Sequence, residues 1–108
     1  MKKEGRIKLW NKYGRRCAYC GKKLEYKSMQ ADHIIPKYNG GGNNEENYNP
    51  SCRQCNKKKD TFTLEGFRRE LQTEHERARR YSSNYRFALK YGQIIETPKP
   101  IIFWFEKY

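Results

Sequence analysis

Apolar positions along the chain come in short, separated groups. Ile7, Trp10 and Tyr13 recur at spacing three over residues 4–14, which predicts a short N-terminal helix ended at Gly14. Leu24–Tyr26 reads as a possible short strand. Met29 to Ile35, bounded by Pro36, is the best strand in the pattern. Residues 39–44, Asn-Gly-Gly-Gly-Asn-Asn, can only be a loop. Residues 56–60 read as the first turns of a helix. After Thr63, an N-cap with Glu65 in the first turn, apolar or semi-polar residues at 64, 67, 71, 75, 78 and 81 predict an amphipathic helical stripe of about five turns. Ser82-Ser83 interrupts it, and Tyr85, Ala88 and Leu89 predict a further short helix ended by Gly92. The run Ile101-Ile102-Phe103-Trp104-Phe105 is either a strand docked on the core or an exposed segment seeking a protein partner. The pattern as a whole predicts a small α+β fold in one domain over residues 1–108. Its core is 14–60, its N-terminal helix about 4–14, its helical extension about 63–92 and its apolar tail 93–108.

Composition changes that picture in one respect. Leu, Ile, Val and Phe number 17 of 108 residues, a share of about 16%, below the roughly 20% under which a highly charged chain is usually disordered. Aromatic residues, at 15%, pull the other way. A chain like this builds only a small core and needs a staple. No apolar run approaches the length of a membrane span, and Met-Lys-Lys-Glu-Gly does not open like a signal peptide. The expectation is therefore a cytoplasmic protein with no membrane contact. Twenty-four Lys and Arg against 12 Asp and Glu, a net charge of +12, point to a polyanionic partner. The charge is uneven: residues 1–30 carry +8, residues 31–52 carry −2, and the rest is positive again.

The staple is visible in the cysteines. Cys17, Cys20, Cys52 and Cys55 form two C-x-x-C pairs, and two such bites complete a tetrahedral thiolate site for structural zinc. Gly21 follows the first pair, where a residue without Cβ lets amides turn toward the sulfurs. Disulfides are disfavoured without an export signal, and a redox pair is disfavoured by the presence of two. Zinc binding would act directly as folding free energy.

The acidic-leaning stretch between the knuckles holds Asp32-His33-Ile34-Ile35-Pro36, the glycine loop and Asn47, and Asn56 follows the last cysteine. Phosphodiester hydrolysis needs a base for water and a cation for the developing charge. An imidazole suits the first role, and oxygen donors from Asp and Asn suit a hard ion such as Mg²⁺. Asp32 and His33 are neighbours, so a regular strand would turn them to opposite faces; bringing both to one site requires a twist or bulge. Arg15, Arg16, Lys57, Lys58 and Lys59 flank the knuckles and are candidate phosphate contacts.

Taken together, Cys-x-x-Cys, Asp-His-Ile-Ile-Pro, a Gly-Gly loop, Asn47, the second Cys-x-x-Cys, Asn56 and a following Lys resemble the HNH endonucleases. The likeness is to their zinc-containing branch of phage-encoded and restriction-type enzymes, and covers about residues 14–60. It implies a ββα-metal core with flanking helices. His33 would be the general base, and Asn47 would brace the loop and orient that base. Asp32 and Asn56 would hold a catalytic Mg²⁺ or Mn²⁺. Asn43, Asn44 and Asn49 also lie near the middle position; Asn47 is preferred for its offset of five from Cys52. Asn56 stands where the family more often has His, and losing an imidazole favours hard ions. The activity implied is hydrolysis of double-stranded DNA, by nicking or double-strand cleavage with weak sequence preference, in a bacterial or phage-infected cell. Two other readings remain: a zinc ribbon that binds nucleic acid without cutting it, and a nicking subunit within a phage DNA-packaging complex.

Overall fold

The computed structural model describes residues 1–108, which divide into two compact units, one of residues 1–67 with 102–108 and one of residues 68–101. The first unit is a mixed α+β arrangement. Helix α1 (Lys3–Asn11) precedes the first cysteine pair; strands β1 (Gln30–His33) and β2 (Tyr48–Ser51) form an antiparallel pair; and α2 (Arg53–Lys59) leaves the second cysteine pair. The register sets Gln30 opposite Ser51, Ala31 opposite Pro50, Asp32 opposite Asn49 and His33 opposite Tyr48. Pairing is regular through His33, with no bulge, so β1 does not bring neighbouring side chains to one face.

Several elements differ from the reading of the sequence. On α1 the buried residue is Leu9, while Ile7 is exposed. No strand forms at Leu24–Tyr26; only an isolated bridge joins Arg16 to Lys23. Side chains take the carbonyls a partner strand would use, since the Trp10 indole donates to Leu24 O at 2.9 Å and Arg6 donates to Tyr26 O at 2.8 Å. The strand expected from Met29 to Ile35 is limited to Gln30–His33.

The aliphatic shortage is met by aromatics. Tyr19, Phe67 and Phe103 are all buried and pack with ring centroids 5.3–5.5 Å apart. The tail that supplies Phe103 is not a strand. Trp104 N–H and Phe105 N–H donate to Tyr19 O and Ala18 O at 3.0 and 2.9 Å, and the chain then enters a single helical turn, α6 (Trp104–Lys107). Ile102 and Tyr108 remain exposed.

Helix α3 (Leu64–Gln72) begins in the first unit. Its Thr63 cap is present, with Gly66 N–H donating to Thr63 Oγ1 at 3.1 Å. The second unit continues with α4 (Glu74–Tyr81) and α5 (Ser83–Lys90). The expected five-turn stripe is broken between Gln72 and Glu74. Thr73 Oγ1 donates back to Arg69 O at 2.9 Å, and the Arg77 guanidinium reaches both Thr73 Oγ1 and Glu70 O. Polar side chains inserted into the backbone ladder end one helix and begin the next. No helix is long and apolar enough to cross a membrane.

Candidate functional site

The four cysteines converge as their spacing requires. Their sulfurs all lie within 4.8 Å of one another, and Cys20 Sγ is 3.9 Å from Cys52 Sγ. A tetrahedron of 2.3 Å zinc–sulfur bonds has edges of about 3.8 Å. The donor set therefore fits a structural metal such as zinc. Local geometry explains the convergence. In the first knuckle Gly21 has φ of +77°, a left-handed conformation that L side chains resist, and its N–H donates to Cys17 O at 3.0 Å. In the second, Cys52 caps α2 and its sulfur accepts from Cys55 N–H at 3.3 Å. The Cys17 thiol is pulled down to about 4, chiefly by its hydrogen bond with Cys55, whose own thiol is pushed up. Ala18 N–H donates to Pro50 O at 2.8 Å, which ties the first knuckle to β2.

His33 ends β1 and stands in a groove of about 850 Å³ of mixed charge, lined by Glu4 and Lys8 of α1, Lys12 just after it, and Lys37, Asn43, Glu45, Glu46 and Tyr48. Its ring lies against Tyr48 at 4.7 Å, and Nε2 is 3.0 Å from Asn43 Oδ1, which also accepts from the Tyr48 hydroxyl. Lys12 Nζ donates to Tyr48 O at 2.7 Å, and burial pushes this ammonium down against the raising effect of Glu46.

Asn47 is buried beside this groove and joins the two ends of the glycine loop. Its Oδ1 accepts from Ile35 N–H at 2.8 Å, and its Nδ2 donates to Ile35 O at 3.0 Å and to Gly42 O at 2.8 Å. The loop closes so tightly that a Cβ on Gly41 would stand 1.7 Å from Ile35 O. That close approach gives the glycine run a structural reason.

Asp32 turns the other way, as strand alternation demands. Its carboxylate is buried, accepts from the Tyr19 hydroxyl, and pairs with Lys59 Nζ at 3.2 Å. Burial pushes the Asp32 carboxyl up from the usual range, against the hydrogen bond from Tyr19 and the charge of Lys59. Asn56 sits one turn before Lys59 on α2, three residues apart and hence on the same side of the helix. Asp32 therefore belongs to the space between β1 and α2, where it meets Lys59, while His33 looks into the groove. One carboxylate and one carboxamide are the hard donors Mg²⁺ accepts beside its waters.

Of the five basic residues flanking the knuckles, Arg15, Arg16, Lys57 and Lys58 are exposed. Lys59 is not a surface residue: its side chain is 0% exposed, and Nζ donates to His33 O at 2.8 Å. Arg15 stacks over Trp10 at 4.1 Å and Arg16 over Trp104 at 5.4 Å. Sequence reasoning missed the partnership of Tyr19, Lys59 and Asn43 with the motif residues. Only Lys59 carried a signal, in its helical spacing from Asn56.

Comparison with known proteins agrees with this geometry. Residues 17–62 match the family model of the HNH endonucleases. The chain is 33% identical over 63 residues to the CRISPR-associated endonuclease Cas9 of Corynebacterium diphtheriae, covering 53% of this chain and 6% of that protein. It is 41% identical over 44 residues to the CRISPR-associated endonuclease Cas9 of Actinomyces naeslundii, covering 40% of this chain and 4% of that protein. The chain thus spans only a small part of the length of these relatives. With both knuckles, the β1–β2 pair and α2 inside the matched region, residues 17–62 form an HNH endonuclease domain.

Proposed function

We propose that the protein is a metal-dependent endonuclease that hydrolyses DNA phosphodiester bonds with His33 as general base. The observation that carries this reading is the placement of His33 at the end of β1, its ring in the groove with Lys12 and Lys37 and its Nε2 3.0 Å from Asn43 Oδ1. Asn43 Oδ1 engages Nε2 of His33, which puts the ring proton there and leaves Nδ1 to take a proton from water. Asn47 holds the loop that presents Asn43. Lys12 and Lys37 line the groove and would meet a phosphodiester backbone, while Lys8 is paired with Glu45 at 3.2 Å. Mg²⁺ or Mn²⁺ between Asp32 and Asn56 would neutralise charge developing on the leaving oxygen. Arg15 and Arg16, stacked on tryptophans, and Lys57 and Lys58 on α2 extend the phosphate-binding surface. Because these contacts address the backbone rather than base edges, sequence preference is weak.

The test is cleavage of supercoiled plasmid by the zinc-loaded protein with Mg²⁺ or Mn²⁺, with His33→Ala beside it. The variant keeps its fold and zinc and loses roughly 10²–10⁴-fold in rate. Equal cleavage by the variant rejects His33 as the base. Saturable DNA binding with no metal-dependent cleavage by the native protein supports a binding module instead.

A further inference from the structure

Lys59 is the most completely buried charged residue at the site, and lysine is almost never fully buried unless paired. Its ammonium is 3.2 Å from Asp32 Oδ2, 3.5 Å from Asp32 Oδ1 and 2.8 Å from His33 O. One side chain thus touches both halves of the Asp-His motif. Burying an ion pair seldom adds stability over apolar packing of the same volume, because desolvation offsets the attraction. Stability alone therefore does not account for a lysine here.

We propose that Lys59 is a built-in counter-ion that competes with the catalytic divalent cation for Asp32, so that the cation is taken up together with the phosphodiester. The inference rests on the reading of Asp32 as a metal ligand. With Lys59 in place, Asp32 and its ammonium sum to zero charge, and the neutral Asn56 adds none. The space between β1 and α2 therefore offers a free divalent ion little net attraction. A phosphodiester brings the missing negative charge, and the two ligands bind cooperatively. Tyr19, donating to the same carboxylate from between Cys17 and Cys20, keeps Asp32 aimed toward α2 while the cation is exchanged.

The experiment is a Mn²⁺ titration read by the electron paramagnetic resonance of the free ion. It uses the zinc-loaded full chain, with and without an uncleavable phosphorothioate duplex. Native protein binds Mn²⁺ weakly alone and about tenfold or more tightly with the duplex. Lys59→Met removes the competing charge and binds Mn²⁺ about tenfold or more tightly without DNA, at the repulsion expected for two cations a few ångströms apart. Its coupling to DNA shrinks accordingly. Its melting temperature also rises with added Mn²⁺ far more than that of native protein, because the ion replaces the lost partner of a buried carboxylate. Lys59→Gln behaves like Lys59→Met, while Lys59→Arg, which keeps the charge, shows no tighter binding. The proposal is overturned if both neutral variants bind Mn²⁺ no more tightly than native protein, or if neither folds even at saturating Mn²⁺. Asp32→Asn separates the two levels of the argument. If it binds Mn²⁺ as native protein does, Asp32 is not a ligand; if it loses binding while Lys59→Met is unchanged, only the role of Lys59 fails.

Discussion

Replacing Asn47 by Ala removes three hydrogen bonds at one stroke, because a single carboxamide bridges Ile35 N–H, Ile35 O and Gly42 O over 2.8–3.0 Å. The site is 8% exposed, so water does not readily replace the lost partner. At about 1 kcal/mol per bond the loss comes to about 3 kcal/mol, with a range of about 2–4. That is a large share of the roughly 5–15 kcal/mol that holds an ordinary domain together. Urea unfolding followed through Trp10 and Trp104 fluorescence is the assay. With a slope of about 1–3 kcal/mol per molar urea, the midpoint falls by about 1–3 M. Amide exchange at Ile35 accelerates in parallel. Asn47→Asp is the sharper control. It keeps the acceptor for Ile35 N–H but sets an oxygen against two carbonyls, so it is no better than Ala despite its nearly identical size. A midpoint shift under about 0.3 M with Ile35 still protected would refute the brace. So would Asn47→Asp behaving like native protein.

Two further outcomes follow from the same geometry. Gly41→Ala forces a Cβ against the Ile35 carbonyl and costs about 1–3 kcal/mol. Gly42→Ala meets only the Asn44 side chain, at 3.0 Å, and costs under about 0.5 kcal/mol in thermal melting; equal losses would contradict the close approach at 41. Burial and the adjacent Asp32 charge push the Tyr19 hydroxyl well above its ordinary value of about 10. The folded value exceeds the unfolded one, so this contribution is intact below pH 10 and is lost as pH rises above it. Urea midpoints measured from pH 9 to 11.5 fall more steeply for native protein than for Tyr19→Phe, and equal slopes would remove Tyr19 from the account.

The residues that bind or turn in fixed local geometry were legible in the sequence. Two C-x-x-C pairs with Gly21, a strand within the run Met29 to Ile35, and helical turns over residues 56–60 were read from local pattern, though the strand stops at His33 and the helix starts at Arg53. What was not legible depends on where polar side chains reach across the fold. Arg6 and Trp10 take the carbonyls of Tyr26 and Leu24 and so prevent a third strand. Thr73 and Arg77 enter the helix ladder and divide a stripe whose apolar spacing was continuous. Among five clustered basic residues, composition cannot tell which one the interior requires; the partner of Lys59 lies 27 residues away in the chain. The alternation of Asp32 and His33 did carry information: the strand is regular, the expected bulge does not form, and the two side chains turn to opposite faces.

The core is completed by a residue far from the rest of it along the chain. Phe103 follows Cys55 by 48 residues, yet it fills the space between Tyr19 and Phe67. At a synthesis rate of about 5–20 residues per second, several seconds separate the emergence of the last cysteine from that of Phe103. Through that interval the knuckles are available to zinc while the aromatic core has no lid. A metal bound by the four cysteines could therefore be captured on the ribosome before the core closes. Starvation for zinc during translation would then act on yield rather than on the properties of the finished protein.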